Sequence, residues 1–285
     1  MVDFLSLFRT NSIKLFPVWT LLPLFASTAI AEDTPPKVPP AEGFVETFDD
    51  AGYKDRWWFG NFDFGGDKMI TGWRRHRAWM EVPVSNQLTD GANGGFLVLD
   101  FGPAPEGEEK AFEGAETQRQ FLHHYGDYEV RMKAAKGDGL VSSFFTYTGP
   151  YFGDPHDEID VEILGKDTTK LHINAFASGN PAPNRSMPLG FDAAQAYHIY
   201  RFEWREDSIT WFVDGMEFFR IESQQAPIPQ TPGKLMASLW GVAEPQEAWA
   251  GKVAEGTEAS ALYDCMSYRP MGDDGPECHD IKGSE

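Results

Sequence analysis

Beyond Gly43 the chain alternates apolar and polar positions with a period of two, and helical periodicity is nearly absent. The alternation, with Gly and Pro turn signals between segments, predicts strands at 96–101, 125–133, 140–148, 157–164 and 170–176. Further strands are predicted at 197–204, 208–213, 217–221, 234–239 and 261–268. Asp214-Gly215, between two of them, is the strongest two-residue hairpin signal. Helix-like spacing is confined to a turn around Phe191-Asp192-Ala193-Ala194, and no internal repeat is visible. Many short strands, each with one apolar face, imply an all-β, two-sheet antiparallel sandwich.

One stretch stands out: His156-Asp157-Glu158-Ile159-Asp160-Val161-Glu162-Ile163-Leu164-Gly165. As a strand it places Glu158, Asp160 and Glu162 on one face and Ile159, Val161 and Ile163 on the other. Three like charges in line repel, so packing alone does not select them. The face is expected to do chemistry or to bind a cation.

Hydrolysis of a glycosidic bond uses two carboxyl groups, one as nucleophile and one as acid and then base. Glu158 and Glu162 are four residues apart, so their Cα atoms lie about 13 Å apart at roughly 3.3 Å per residue. Side chains leaning together bring the carboxyls to on the order of 6 Å, near the ~5–5.5 Å of retaining enzymes. Asp160, between them, can orient the nucleophile, and its charge helps raise the pKa of whichever Glu must carry a proton. Two other readings stay beside this one. Asp157, Asp160 and Glu162 could hold Ca²⁺, although a strand presents carboxylates in a line and lacks the Gly and carbonyl ligands of calcium loops. The row could also be a solvated acidic face.

Composition narrows the partners. A formal net charge of −20 argues against nucleic acid or an anionic membrane as partner. Aromatics make up 14% of the chain, with nine Trp, more than a core alone requires and suited to stacking on sugar rings. Arg9 and Lys14 precede an apolar run from Leu15 to Ala26, which is followed by Ala29-Ile30-Ala31, an export-signal pattern with cleavage expected after Ala31. An uncleaved anchor is the alternative, but the run is short and interrupted by Pro17 and Pro23. The expected organisation is a signal peptide over 1–31, a Pro-rich linker over 32–42, one domain over 43–270 and a tail over 271–285. A secreted or periplasmic protein is expected, with no membrane contact after cleavage, acting as a monomer. Cys265 and Cys278 are its only cysteines, and export makes a disulfide between them reasonable, with two free thiols as the alternative.

Asp157-Glu158-Ile159-Asp160-Val161-Glu162 resembles the signature of glycoside hydrolase family 16, in the form found in bacterial lichenases and exopolysaccharide-depolymerising endoglycanases. The likeness continues through Val141 to Pro150, Leu164 to Lys170, Leu189 to Ala194, Trp211 to Gly215, and Thr231 to Met236 leading to Leu239-Trp240. Pro155-His156 and the cysteine-bearing tail look more like proteobacterial exopolysaccharide depolymerases than Bacillus enzymes. The resemblance implies a concanavalin A-like jelly roll with a groove across its concave sheet. It implies Glu158 as nucleophile, Asp160 as its helper and Glu162 as general acid/base, acting on β-1,3-1,4 bonds without a catalytic cofactor. It also implies a groove lined by Phe145, Tyr147, Asn174, Phe176, Trp240 and Trp249, with Glu116 and Arg119 near the sugar hydroxyls. Asp264 matches a position that often helps hold a structural calcium on the convex side.

Strand parity independently puts Asn174 and Phe176 on one face with His172, and Ser238 with Trp240. Each aromatic retains a plain reading as core. The sequence departs from the family at Phe64 to Trp73, where a Tyr-x-Asn stretch and an Asn-Cys-Thr-Trp strand are missing. It departs again at Glu116-Thr117-Gln118-Arg119, one residue longer than the family's Glu-x-Arg. Trp73-Arg74-Arg75-His76-Arg77 is a basic run in an acidic chain, read either as a contact for an anionic substituent or as locally paired. A lectin that binds without cleaving and a transglycosylase share this fold, and two retained glutamates favour an enzyme over a lectin.

Overall fold

The computed structural model describes residues 41–63, 67–81 and 91–281. The expected export signal and residues 32–40 of the expected linker lie outside the described residues, as do 64–66 of the divergent stretch. Ala41, assigned to the linker, is 8% exposed and belongs to the core.

Eighteen strands form among the described residues. In chain order the first are β1 (Phe44–Glu46), β2 (Trp57–Phe59), β3 (Phe62–Asp63), β4 (Thr71–Trp73), β5 (Ala78–Glu81) and β6 (Phe96–Pro103). Next come β7 (Phe112–His123), β8 (Gly126–Lys133), β9 (Leu140–Thr148), β10 (Asp157–Leu164), β11 (Lys170–Ala177) and β12 (Asn180–Pro181). The last six are β13 (Arg185–Pro188), β14 (His198–Trp204), β15 (Ser208–Val213), β16 (Met216–Glu222), β17 (Gly233–Gly241) and β18 (Ala259–Pro270). The helices are single turns, α1 (Tyr53–Arg56) and α2 (Glu247–Ala250). Among the described residues no helix is long and apolar enough to cross a membrane.

The strands form the two-sheet antiparallel sandwich expected from the pattern, in the jelly-roll form that the resemblance implied. One sheet runs β5-β6-β18-β8-β14-β15-β16, with β1 also on β18. The other runs β2-β7-β17-β9-β10-β11-β13. Every pairing in both is antiparallel; the parallel contact is β4 on β7, at the margin where β6 and β7 join the sheets. Between them, Phe144, Ile159, Val161, Ile163 and Leu171 meet Tyr128, Val130, Tyr200, Phe202 and Trp211, all fully buried. The aliphatic parity of the acidic stretch therefore faces the core, and its carboxylates face out. The Asp214-Gly215 turn carries both residues at positive φ (46° and 77°), the mirror-image turn that matches strand twist.

Pattern reading missed β7, the longest strand besides β18 at 12 residues. Its polar residues are not all turned to solvent. Glu113 is buried and takes contacts from Arg74, His76 and Arg77, so the alternation of β7 is masked. The turn at 191–194 is closed by Gln195 N–H on the Asp192 carbonyl and does not propagate into a helix.

Cys265 and Cys278 are disulfide-bonded, with Cα atoms 5.7 Å apart. The bond fastens the segment after β18 back onto β18, and His279 contacts Glu129 on the neighbouring β8 at 3.1 Å.

Candidate active site

β10 presents Glu158, Asp160 and Glu162 to the concave face, and strand register surrounds them. Glu158 lies opposite Tyr147 on β9 and Phe176 on β11, Asp160 opposite Phe145 and Asn174, Glu162 opposite Ser143 and His172. The rows continue across the sheet. Phe145 meets Met236, which meets Gln118, which meets Trp58; Ser143 meets Ser238, which meets Glu116. Six strands at ~4.8 Å spacing make a floor about 24 Å wide.

The site holds a graded set of acids. Glu162 is pushed up to about 8 by burial and by the charge of Glu158. Burial, then Glu158 and Glu162, hold the Asp160 carboxyl well above the usual carboxylate range. Glu116 is also raised to about 8, by burial alone. Glu158 accepts an N–H from His156 Nε2 at 2.6 Å. Asp157, on the opposite parity, accepts backbone N–H groups from Ser178 (2.6 Å), Gln230 (2.8 Å) and Thr231 (2.8 Å). Three N–H donors satisfy this buried acid, so it anchors loops and is not available as a metal ligand.

Aromatic side chains flank the acids at both ends of β10. At the Glu158 end, the ring of His156 stacks on Phe176 and lies 5.5 Å from Tyr147, whose other neighbour is Phe152. At the Glu162 end, Trp240 and Trp249 lie 6.2 Å apart over a buried cluster of Val141, Leu164, Val242 and Ala250. Trp249 stands on α2 and meets the His172 ring edge-on. Phe145, Tyr147, Asn174, Phe176, Glu116, Trp240 and Trp249 are all half-buried.

Two expectations need correction. Arg119 is not on the groove face. It pairs in register with buried Trp57, and its guanidinium lies 3.9 Å over the Phe44 ring. The extra residue after Glu116 turns Arg119 inward and puts Gln118, with the parity of Glu116, on the groove. Register with Met236 identifies Gln118, as it identifies the exposed Trp58 beyond it; neither was expected.

Asp264 does not fit a calcium site. Its carboxylate pairs with the Arg131 guanidinium and accepts the Asn93 N–H at 2.8 Å, while Arg131 also donates to the Gly91 carbonyl at 2.7 Å. A fixed positive group already bridges the oxygens a cation would need. Among the described residues, one other cluster of this kind is Glu129, Glu277 and His279, and Arg269 lies 2.6 Å from Glu277.

The basic run is largely locally paired. Arg74 contacts Asp63 (2.7 Å) and Glu108 (2.8 Å), and Arg77 contacts Asp100 (2.8 Å) and Glu113 (3.1 Å). Arg75 alone of its arginines is exposed.

Comparison with known proteins agrees with this geometry. The family model described as glycosyl hydrolases family 16 matches residues 90–255. A β-glucanase of Bacillus subtilis (strain 168) is 47% identical over 157 residues, which make up 55% of this chain and 63% of that protein. The chain thus spans less than two thirds of that relative. Among solved structures, a β-1,3-1,4-glucanase (lichenase) from a mouse hindgut metagenome superposes with a TM-score of 0.70 at 35% identity, covering 81% of this chain and 100% of that one. The Bacillus licheniformis β-glucanase gives 0.68 at 37%, covering 80% and 98%.

Proposed function

Because the chain belongs to glycosyl hydrolase family 16, we propose that it is an endo-acting β-glycanase cleaving internal β-1,3-1,4 bonds of a glucan with retention of configuration. The observation that carries this reading is the electrostatic split along β10. Glu162 is raised to about 8 and so carries a proton at neutral pH, four residues along the strand from a Glu158 held by an imidazole N–H.

In the first step Glu158 attacks the anomeric carbon, the glycosidic bond breaks, and Glu162 gives its proton to the departing oxygen. Glu158 is then an ester and has lost its charge. One of the two causes that raise Glu162 disappears with it. The ionised Glu162 can now take a proton from the water that attacks the same carbon and releases Glu158. Asp160, whose carboxyl is pushed up by burial and then by the Glu158 charge, is suited to donate to Glu158. The tryptophans and Phe145, Tyr147 and Phe176 supply apolar faces for sugar rings.

Pairing of Arg74 and Arg77 with local acids supports a neutral mixed-linkage glucan over an anionic exopolysaccharide. The N-terminal pattern supports export to the periplasm or beyond, as does the disulfide, a bond of oxidising compartments.

The test is product analysis on lichenan, laminarin and an acidic exopolysaccharide, with Glu158→Gln as control. Lichenan oligosaccharides are expected, with at least a ~10²-fold loss in the variant. Undiminished release by Glu158→Gln overturns the assignment.

A further inference from the structure

His156 precedes β10 by one residue and shares parity with Glu158, two positions on. Its Nε2 lies 2.6 Å from Glu158 Oε2, and a carboxylate can only accept, so the imidazole is the donor. The ring is gripped from both neighbouring strands in the same register row. Phe176 stacks on it with centroids 4.6 Å apart and planes at 21°, and Tyr147 stands on the other side at 5.5 Å. The backbone is fixed as well, since the His156 carbonyl accepts the Gly179 N–H at 2.8 Å and Asp157 is tied down by three N–H groups. Among the described residues, Glu158 is the one acid in ion-pair range of His156. A side chain held on three sides, with its donor on one oxygen of a carboxylate, restricts rotation of that carboxylate.

We propose that His156 is a positioning residue for Glu158, holding Oε2 so that Oε1 faces the anomeric carbon and stabilising Glu158 as it leaves. This rests on the reading of Glu158 as nucleophile. In the first half-reaction the Oε1–carbon bond forms and the carboxylate loses its charge. In the second, water adds to the carbon, the Oε1–carbon bond breaks, and its electron pair returns to Glu158. The negative charge restored there is what the His156 N–H favours. A hydrogen bond to a charged group is strong, so its loss slows ester breakdown by about 10- to 100-fold.

The experiment uses an activated aryl β-glycoside of a mixed-linkage oligosaccharide, for which ester breakdown limits turnover. His156→Phe keeps a ring on Phe176 but has no donor; His156→Gln places an amide N–H near the Nε2 position. His156→Phe is expected to lower kcat about 10- to 100-fold, to lower KM with it, and to enlarge the pre-steady-state burst of aryl release. His156→Gln is expected to restore most of the kcat. Wild-type kcat, KM and burst in His156→Phe would overturn the proposal, and so would equal losses in both variants with raised KM, the mark of a purely structural role. Absence of aryl release by the wild-type protein, or full release by Glu158→Gln, sinks the nucleophile reading and the positioning role with it, an outcome distinct from the first two.

Discussion

Trp211, on the opposite sheet, donates its indole N–H to the backbone carbonyl of Asp160 across 3.0 Å. The tryptophan is fully buried, so the middle of the acidic strand is tied from below while its carboxylates face the groove. Catalytic geometry and core packing meet at this bond.

Trp211→Phe should therefore cost both stability and rate. The lost hydrogen bond and the smaller ring together predict a loss of about 2 kcal/mol. Urea unfolding should show a lower midpoint with an unchanged slope, and lichenan hydrolysis should fall while KM stays near wild type. A midpoint equal to wild type would show that the indole contributes nothing to holding β10.

The pH dependence follows from Glu162, raised from 4.5 to about 8. The first step needs its proton, so kcat/KM should fall as pH rises through about 8. For stability, the folded state binds more protons than the unfolded between 4.5 and about 8, so the slope with pH is negative. The favourable contribution is fully present below 4.5 and is lost as pH rises through about 8. Glu162→Gln removes the titration, so its melting temperature minus that of wild type should grow across this window. A difference independent of pH would contradict the assignment of the raised group.

Arg131 and Asp264 give a metal-removal prediction. The guanidinium serves where a cation was expected, so the melting temperature should not change between chelator and millimolar calcium. Arg131→Ala leaves a 2%-exposed carboxylate without its cation and should destabilise by about 3–5 kcal/mol. Adding Asp264→Asn to Arg131→Ala should recover part of that loss. Stabilisation of the wild-type protein by calcium would reinstate the metal site.

These residues also show what the sequence could and could not tell. β10 was legible because its two faces differ completely, aliphatic against the core and acidic against the groove. β7 was not, because Glu113 is buried among cations that come from elsewhere in the chain. Arg119 was misplaced because the family's Glu-x-Arg puts both side chains on one face, whereas the extra residue leaves Arg119 three positions from Glu116 and so on the opposite face of the strand. The Arg131–Asp264 pair joins positions 133 apart, which no local pattern reveals.

Glu116 supplies the last prediction. It faces the groove in the row of Ser238, Ser143 and Glu162, and the Ser143 and Ser238 hydroxyls are 2.6 Å apart. Burial raises Glu116 to about 8, so at neutral pH it is a carboxylic acid able to donate as well as accept. Gln reproduces that neutral shape and its donor, whereas Ala leaves a gap and no polar partner for a sugar hydroxyl. Glu116→Gln should keep kcat/KM on lichenan within about threefold at pH 6, while Glu116→Ala should lose about 10-fold or more, the range for one unmade hydrogen bond. The gap between Glu116→Gln and wild type should widen above pH 8, where wild-type Glu116 ionises and the amide cannot. Equal losses in both variants at pH 6 would mean that Glu116 acts as a charged carboxylate, and burial would then not be setting its state.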